Sequence, residues 1–427
     1  MSLWGLDVAP LRASKEFRRL YIASAVTALG TQATYVTMPY QLKELTHSPL
    51  QVGALGLAEL VPLVFCGLYG GILADRMNRR RLIITMEALL MLTTALIFAN
   101  ALLGHPSIVI LYVTAFFNAA VSSLQRPSIA ALNQSFVPHD LQRSASTLQM
   151  ISGTTASIIG PVTGGLAAVA LGAQFVYGAN LLTFCASLIL LSRLSRQDTP
   201  VVSDQSDRAA FRAGLDFLRS RPDIIGTYVI DLVAMVVAFP VAMLPFVASR
   251  FHETYALSLL YGAMPVGALV ASVTSGWSTR VHHYGRAVVA AAITWGLGIA
   301  VFGLSSSLTL ALIGLVVAGG ADALSAVFRA TMWNESIRPD IRGRMAGMEM
   351  ISYSIGPTAG QFRAGLMAAW TSLRFSLTAG GLGCSAAVAG VAGALPSLWR
   401  FDVRTDVHVA EVRELRSAEA SNETREN

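Results

Sequence analysis

Gly71-Ile72-Leu73-Ala74-Asp75-Arg76-Met77-Asn78-Arg79-Arg80-Arg81 carries the end of an apolar run into one acid and four arginines. Cations packed this closely against a run of membrane length mark the end that stays in the cytoplasm. Crossing a bilayer takes roughly 20 apolar residues. Runs of that size recur twelve times along the chain, the first at 20–42 and the last at 373–396. Lipid supplies no hydrogen bonds, so each run must satisfy its own backbone as a helix. The chain therefore reads as an all-α membrane protein with twelve transmembrane helices.

Composition agrees. Of 427 residues 54% are hydrophobic and 13% charged, whereas about a quarter of a soluble domain is charged. The net charge of +6 sits at the ends of apolar runs and forms no patch, so it serves orientation and argues against a nucleic-acid partner. The two lysines, Lys15 and Lys43, do not follow a glycine. The chain thus carries no phosphate loop and no nucleotide site of that kind. Cys66, Cys185 and Cys384 lie in separate runs without disulfide or zinc spacing and read as packing residues. No metal-ligand or nucleophile-base spacing is evident, so neither an enzyme nor a bound cofactor is expected. The expected partners are the lipid bilayer, a small-molecule substrate and protons, with the chain acting as a monomer.

With the N-terminus inside, the cytoplasmic segments hold 25 of the 31 Lys and Arg and the outer loops hold three, Lys43, Arg250 and Arg374. This asymmetry places both termini in the cytoplasm, in the inner membrane of the cell. The polar stretch 193–222 divides the spans into a half at 1–192 and a half at 223–396, and a polar tail at 397–427 reads as disordered or surface-lying. The halves look related at an offset of 203, which matches Pro62 with Pro265 and Arg126 with Arg329. Pseudo-symmetric six-helix halves with a substrate site near the midplane are the usual build of secondary transporters.

The opening stretch resembles the loop signature of the major facilitator superfamily, G-x-L-A-D-R-x-G-R-R/K, between spans 2 and 3. The matching positions are Gly71, Asp75, Arg76, Arg79 and Arg80, with Asn78 where the family has Gly. Asn tolerates a left-handed backbone best after Gly, so the turn is expected to survive. In that family the acid sits near the start of helix 11 and the arginines brace the cytoplasmic gate; where the family often has a carboxylate in helix 4, this chain has Asn118. Gly160-Pro161-Val162-Thr163-Gly164-Gly165 in span 5 resembles the G-P-x-x-G-G pattern of drug:proton antiporters, which belongs to exporters more than importers. Gly160 and Gly164 make a close-packing face and Pro161 permits a bend. Asp231, Pro240, Pro245, Tyr261 to Pro265 and Gly320 to Arg329 resemble the enterobactin (siderophore) exporter and macrolide-efflux branch.

Ionisable groups inside spans are costly and default to functional candidates. Asp231 in span 7 lies roughly 12 Å from the inner boundary and Asp322 in span 10 roughly 15 Å from it, at 1.5 Å per residue. The resemblance places helices 1, 4, 7 and 10 around the cavity, where either acid is suited to take a proton outside and release it inside. An ion pair with Arg126 or Arg329, acting as a latch, stays open as the alternative. Glu59 in span 2 is a third proton-site candidate. Glu87 and Glu349, near inner ends, are expected to meet the loop arginines. For cargo, Gln32 and Tyr35 on span 1 and Asn118, Ser122 and Gln125 on span 4 give polar points on apolar helices, the latter three on one stripe; Arg126 and Arg329 join them as cavity candidates.

The expected function is proton-coupled export of a small amphipathic molecule, a siderophore or drug, by alternating access. The rivals are an importer or facilitator of the same fold and a non-transporting membrane sensor, against which the short tails count.

Overall fold

The computed structural model describes residues 7–195, 220–337, 339–414 and 417, with backbone alone over 68–76 and 339–352. Twelve long helices follow one another in these residues: α1 Lys15–Thr46, α2 Pro49–Arg76, α3 Arg79–Ala101, α4 Ile108–Ser135, α5 Gln142–Ala170, α6 Ala173–Ser192, α7 Pro222–Ala238, α8 Ala256–Val273, α9 Tyr284–Leu304, α10 Leu308–Ser336, α11 Pro339–Trp370 and α12 Leu373–Ala394. Ten helical stretches among the described residues are long and apolar enough to cross a membrane; α1 and α11 stand where spans 1 and 11 were expected but are not among the ten. Outward residues such as Leu92, Leu182 and Val273 are more than 60% exposed. In water such surfaces would be a liability, whereas lipid covers them without loss.

The chain packs as two compact units, Met1–Ser203 with Val241–Gly262, and Asp204–Pro240 with Ala263–Asn427. Within the first, α1 packs on α5 and α6, α3 on α4 and α6, and α2 on α4. Within the second, α7 packs on α11 and α12, and α9 on α10 and α12. Backbones of α8 and α10 also meet there, because a side chain at Gly267 would strike the Val316 carbonyl and one at Gly319 the Met264 carbonyl. Each pairing in the first unit thus recurs six helices later.

Polar side chains fasten these helices where apolar contact alone gives no preference over lipid. Tyr177 Oη donates to Gln41 Oε1 at 2.8 Å and Asn180 Nδ2 to Thr34 Oγ1 at 2.9 Å, joining α6 to α1. Trp333 Nε1 donates to Thr227 Oγ1 at 2.9 Å, joining α10 to α7.

Three expectations change. Asn78 is not left-handed: its φ of −61° and ψ of 114° are extended, and its side-chain oxygen accepts the Arg81 N–H at the start of α3. Asn is retained here as an N-cap, which satisfies one of the orphan amides of the first turn. The seventh apolar run, 224–248 in the sequence, is helical only to Ala238; Phe239 is extended ahead of Pro240, as the residue before proline prefers, and a short helix resumes at Leu244–Ala248. The tail is not disordered as far as Glu414. Phe401, Val403, Val409 and Val412 are buried, Val403 N donates to the His282 carbonyl, and Arg413 pairs with Glu335 at 3.1 Å.

Candidate functional site

In the first unit a cavity of about 380 Å³ opens between α1, α3, α4, α5 and α6. Most of its wall is apolar, including Leu20, Ile83, Leu90 and Phe184. Gln32, Asn118, Ser122, Gln125 and Arg126, all expected at the cargo site, line it together. The α4 stripe is real: Ser122 Oγ lies 3.5 Å from Asn118 Oδ1, and Gln125 is the buried member at its end. Arg126 is exposed. Tyr35 does not line the cavity.

The same wall contains Glu87, whose expected partners were the loop arginines. The structure corrects this. Glu87 is 4% exposed, its Oε1 accepting from Ser187 Oγ at 2.5 Å and its Oε2 from Gln125 Nε2 at 2.7 Å. Of the loop arginines, Arg80 donates from Nη2 to the Ser192 carbonyl at 2.7 Å; Arg19, near the start of α1, donates from Nη1 to the Arg193 carbonyl at 2.7 Å. Both arginines therefore cap the C-terminus of α6, where cations complement the helix dipole. Glu349 lies outside the residues with described side chains. So do Gly71, Asp75 and Arg76; of that signature, Arg79 and Arg80 each have a buried Nε without a hydrogen-bond partner.

The second unit holds the other acids. Arg329 Nη1 meets Asp231 Oδ1 at 2.5 Å, with both side chains almost fully buried. The guanidinium also lies 5.4 Å from the Tyr353 ring centre and donates weakly from Nε to the Ser325 carbonyl at 3.4 Å. Asp322 is half-buried and feels the charges of Arg329 and Asp231. The pair thus forms between α7 and α10, not along α10, as the seven-residue spacing of Asp322 and Arg329 required. Glu59 is half-buried on α2, away from the cavity wall.

The glycine-rich stretch of α5 packs on α1. A side-chain carbon at Gly160 would stand 2.6 Å from Gln32 Cβ, and one at Gly164 2.5 Å from Ala33 Cα. Pro161 is buried between them, and Gly165 faces Ser258 of α8 at 2.8 Å by the same measure. In the second unit Gly356 and Gly360 sit in the same way against Met235 of α7 and Phe239 just beyond its end. Close packing of the fifth on the first helix holds Gln32 of α1 against Gly160 at the cavity.

Glu87, Ser187, Ser24, Thr27 and Thr31 are polar cavity residues that sequence reasoning did not place there. The signal for Glu87, an ionisable residue inside a span, was present; its partners depended on which helices pack together. Among the described residues no group of three or more His, Cys, Asp or Glu is placed to hold a metal ion.

Residues 6–418 match the family model described as transmembrane secretion effector. The chain is 28% identical over 386 residues to an enterobactin exporter, EntS, of Citrobacter koseri, covering 89% of this chain and 92% of that protein. It is 26% identical over 383 residues, with the same coverage, to the EntS of Shigella boydii. Two solved structures share its fold. A bacterial homologue of the human lysosomal transporter Spinster, inward-facing and unoccupied, gives a TM-score of 0.70 at 15% identity over 92% of this chain and 98% of that one. The nucleoside transporter NupG gives 0.67 at 15% identity over 90% and 99%.

Proposed function

Since the chain belongs to the transmembrane secretion effector family of major facilitator transporters, we propose that it exports a small amphipathic molecule, siderophore or drug, across the cytoplasmic membrane by alternating access, driven by proton entry. The likeness to enterobactin exporters, which runs over 89% of this chain and 92% of theirs, carries the direction and the cargo class. The cavity supports it, because a wall that mixes apolar residues such as Leu90 and Phe184 with polar ones such as Gln32 and Asn118 suits a drug-sized amphipathic molecule.

In this reading the halves 1–192 and 223–396 carry the alternating motion, the segment 193–222 joins them, both termini face the cytoplasm, and a monomer suffices. Of the two roles open to Asp231, its ion pair with Arg329 supports the latch. Asp322 and Glu59 keep the role of proton carriers. One proton entering gains roughly 2.3 kcal/mol per 100 mV and about 1.4 kcal/mol per pH unit, enough to hold a cargo gradient of several hundredfold.

Uptake of labelled enterobactin, a macrolide and ethidium into energised everted vesicles tests the reading. Uptake of at least one that collapses with an uncoupler is expected. Uptake indifferent to the uncoupler overturns proton drive, and no uptake of any favours the sensor.

A further inference from the structure

Glu87 has the surroundings of a group that exchanges a proton. Its two oxygens each accept one hydrogen bond, from Ser187 Oγ and from Gln125 Nε2, and both partners are neutral and buried. A serine hydroxyl both donates and accepts, while an amide N–H only donates. Facing a carboxylate, Ser187 donates; facing a carboxylic acid, it accepts the acid proton, and Gln125 donates in either case. The proton can come and go without any hydrogen bond being lost. Asp231 is built differently, since taking up a proton there means giving up an ion pair.

The charges around Glu87 leave it this freedom. Glu87 and Arg126 are the charged residues of the cavity wall. Arg126 lines the same cavity but is exposed, and the hydrogen-bond partners of the Glu87 carboxylate are Ser187 and Gln125. From α6 no charged residue falls between Ala173 and Ser192; its Cys185 faces Met91, and its Tyr177 is spent on Gln41. On α4, Tyr112 donates to the Gln51 carbonyl. From α1 the cavity wall receives no charged residue, and Glu59 of α2 lies outside it. The cavity gives room for water to bring the proton to the carboxyl.

We propose that Glu87, with Ser187 and Gln125, is a proton-exchange site opening on the cavity of the first unit. Its use in transport rests on the proton-driven reading above; the exchange itself does not.

The test is infrared difference spectroscopy of the full purified chain in lipid while the pH is stepped, following the carbonyl band of protonated carboxyls. Glu87→Gln keeps an oxygen for Gln125 and an N–H for Ser187, so it is expected to fold. It should remove a titrating component of the band that Asp231→Asn, Asp322→Asn and Glu59→Gln retain. Ser187→Ala should keep that component and move its midpoint by about one pH unit, the scale of one hydrogen bond to a charged group. A Glu87→Gln spectrum that superimposes on the wild type, or a wild type with no titrating band, overturns the site. A Glu87 component in a protein whose vesicle uptake ignores an uncoupler supports the site and overturns proton drive. Uncoupler-sensitive uptake without that component does the reverse.

Discussion

Cutting the Asp231–Arg329 pair from its two ends should cost different amounts. Arg329→Met leaves the Asp231 carboxylate nearly fully buried with its Oδ2 already lacking a hydrogen-bond partner. Removing one partner of a buried pair costs about 3–5 kcal/mol, because the other charge is left uncompensated. Asp231→Asn leaves the guanidinium with the Ser325 carbonyl, the Tyr353 ring and the field of Asp322. A cation over an aromatic ring retains roughly 0.5–2 kcal/mol, so this variant should be the milder by about 1–2 kcal/mol. The double variant removes both charges and should lose less than the sum, with a coupling of about 2–3 kcal/mol. The measurement is equilibrium unfolding of the purified protein in mixed micelles, read by tryptophan fluorescence; the chain has six Trp. Equal costs for the two single variants, or strict additivity in the double, would refute the argument that Arg329 has fallback partners and Asp231 has none.

Other expectations follow from single contacts. Gly164→Val should cost about 1–3 kcal/mol and lower vesicle uptake, since its side chain must displace α1 at Ala33; Gly153→Ala, at the cavity wall with open space around it, should leave the unfolding unchanged. Asn78→Ala should destabilise by about 1 kcal/mol and Asn78→Gly by only a few tenths, the order that an N-cap dictates, read by the same unfolding titration. Val409→Asp and Val412→Asp bury an unpaired carboxylate under the tail and should release it, seen as faster tryptic cleavage at Arg404 and Arg413 with the helices intact; unchanged cleavage would mean that these valines do not hold the tail.

The sequence by itself determined the solvent, the element type and the kinship. Apolar runs of membrane length leave the backbone no choice but helix, and the arginine-rich stretch after Gly71 named the superfamily, because spacing and composition are local properties. The stripe Asn118, Ser122, Gln125 was legible for the same reason: 3.6 residues per turn put these positions on one face whatever the helix packs against. What only the tertiary structure decided are the partners. Glu87 was read as a mate of the loop arginines by its nearness in the chain. Its actual neighbours, Gln125 and Ser187, are 38 and 100 residues away and meet it only because α4 and α6 both pack on α3. Of the loop arginines, Arg80 reaches the C-terminus of α6 instead. Likewise the tail looked polar by composition, although four apolar residues in it find a floor beneath the second unit's helices. Even Asn78, placed correctly in its loop, was given the wrong task. Its side chain caps α3 in an extended conformation, and the Gly71 to Arg81 stretch that identifies the fold is held at this end by a cap.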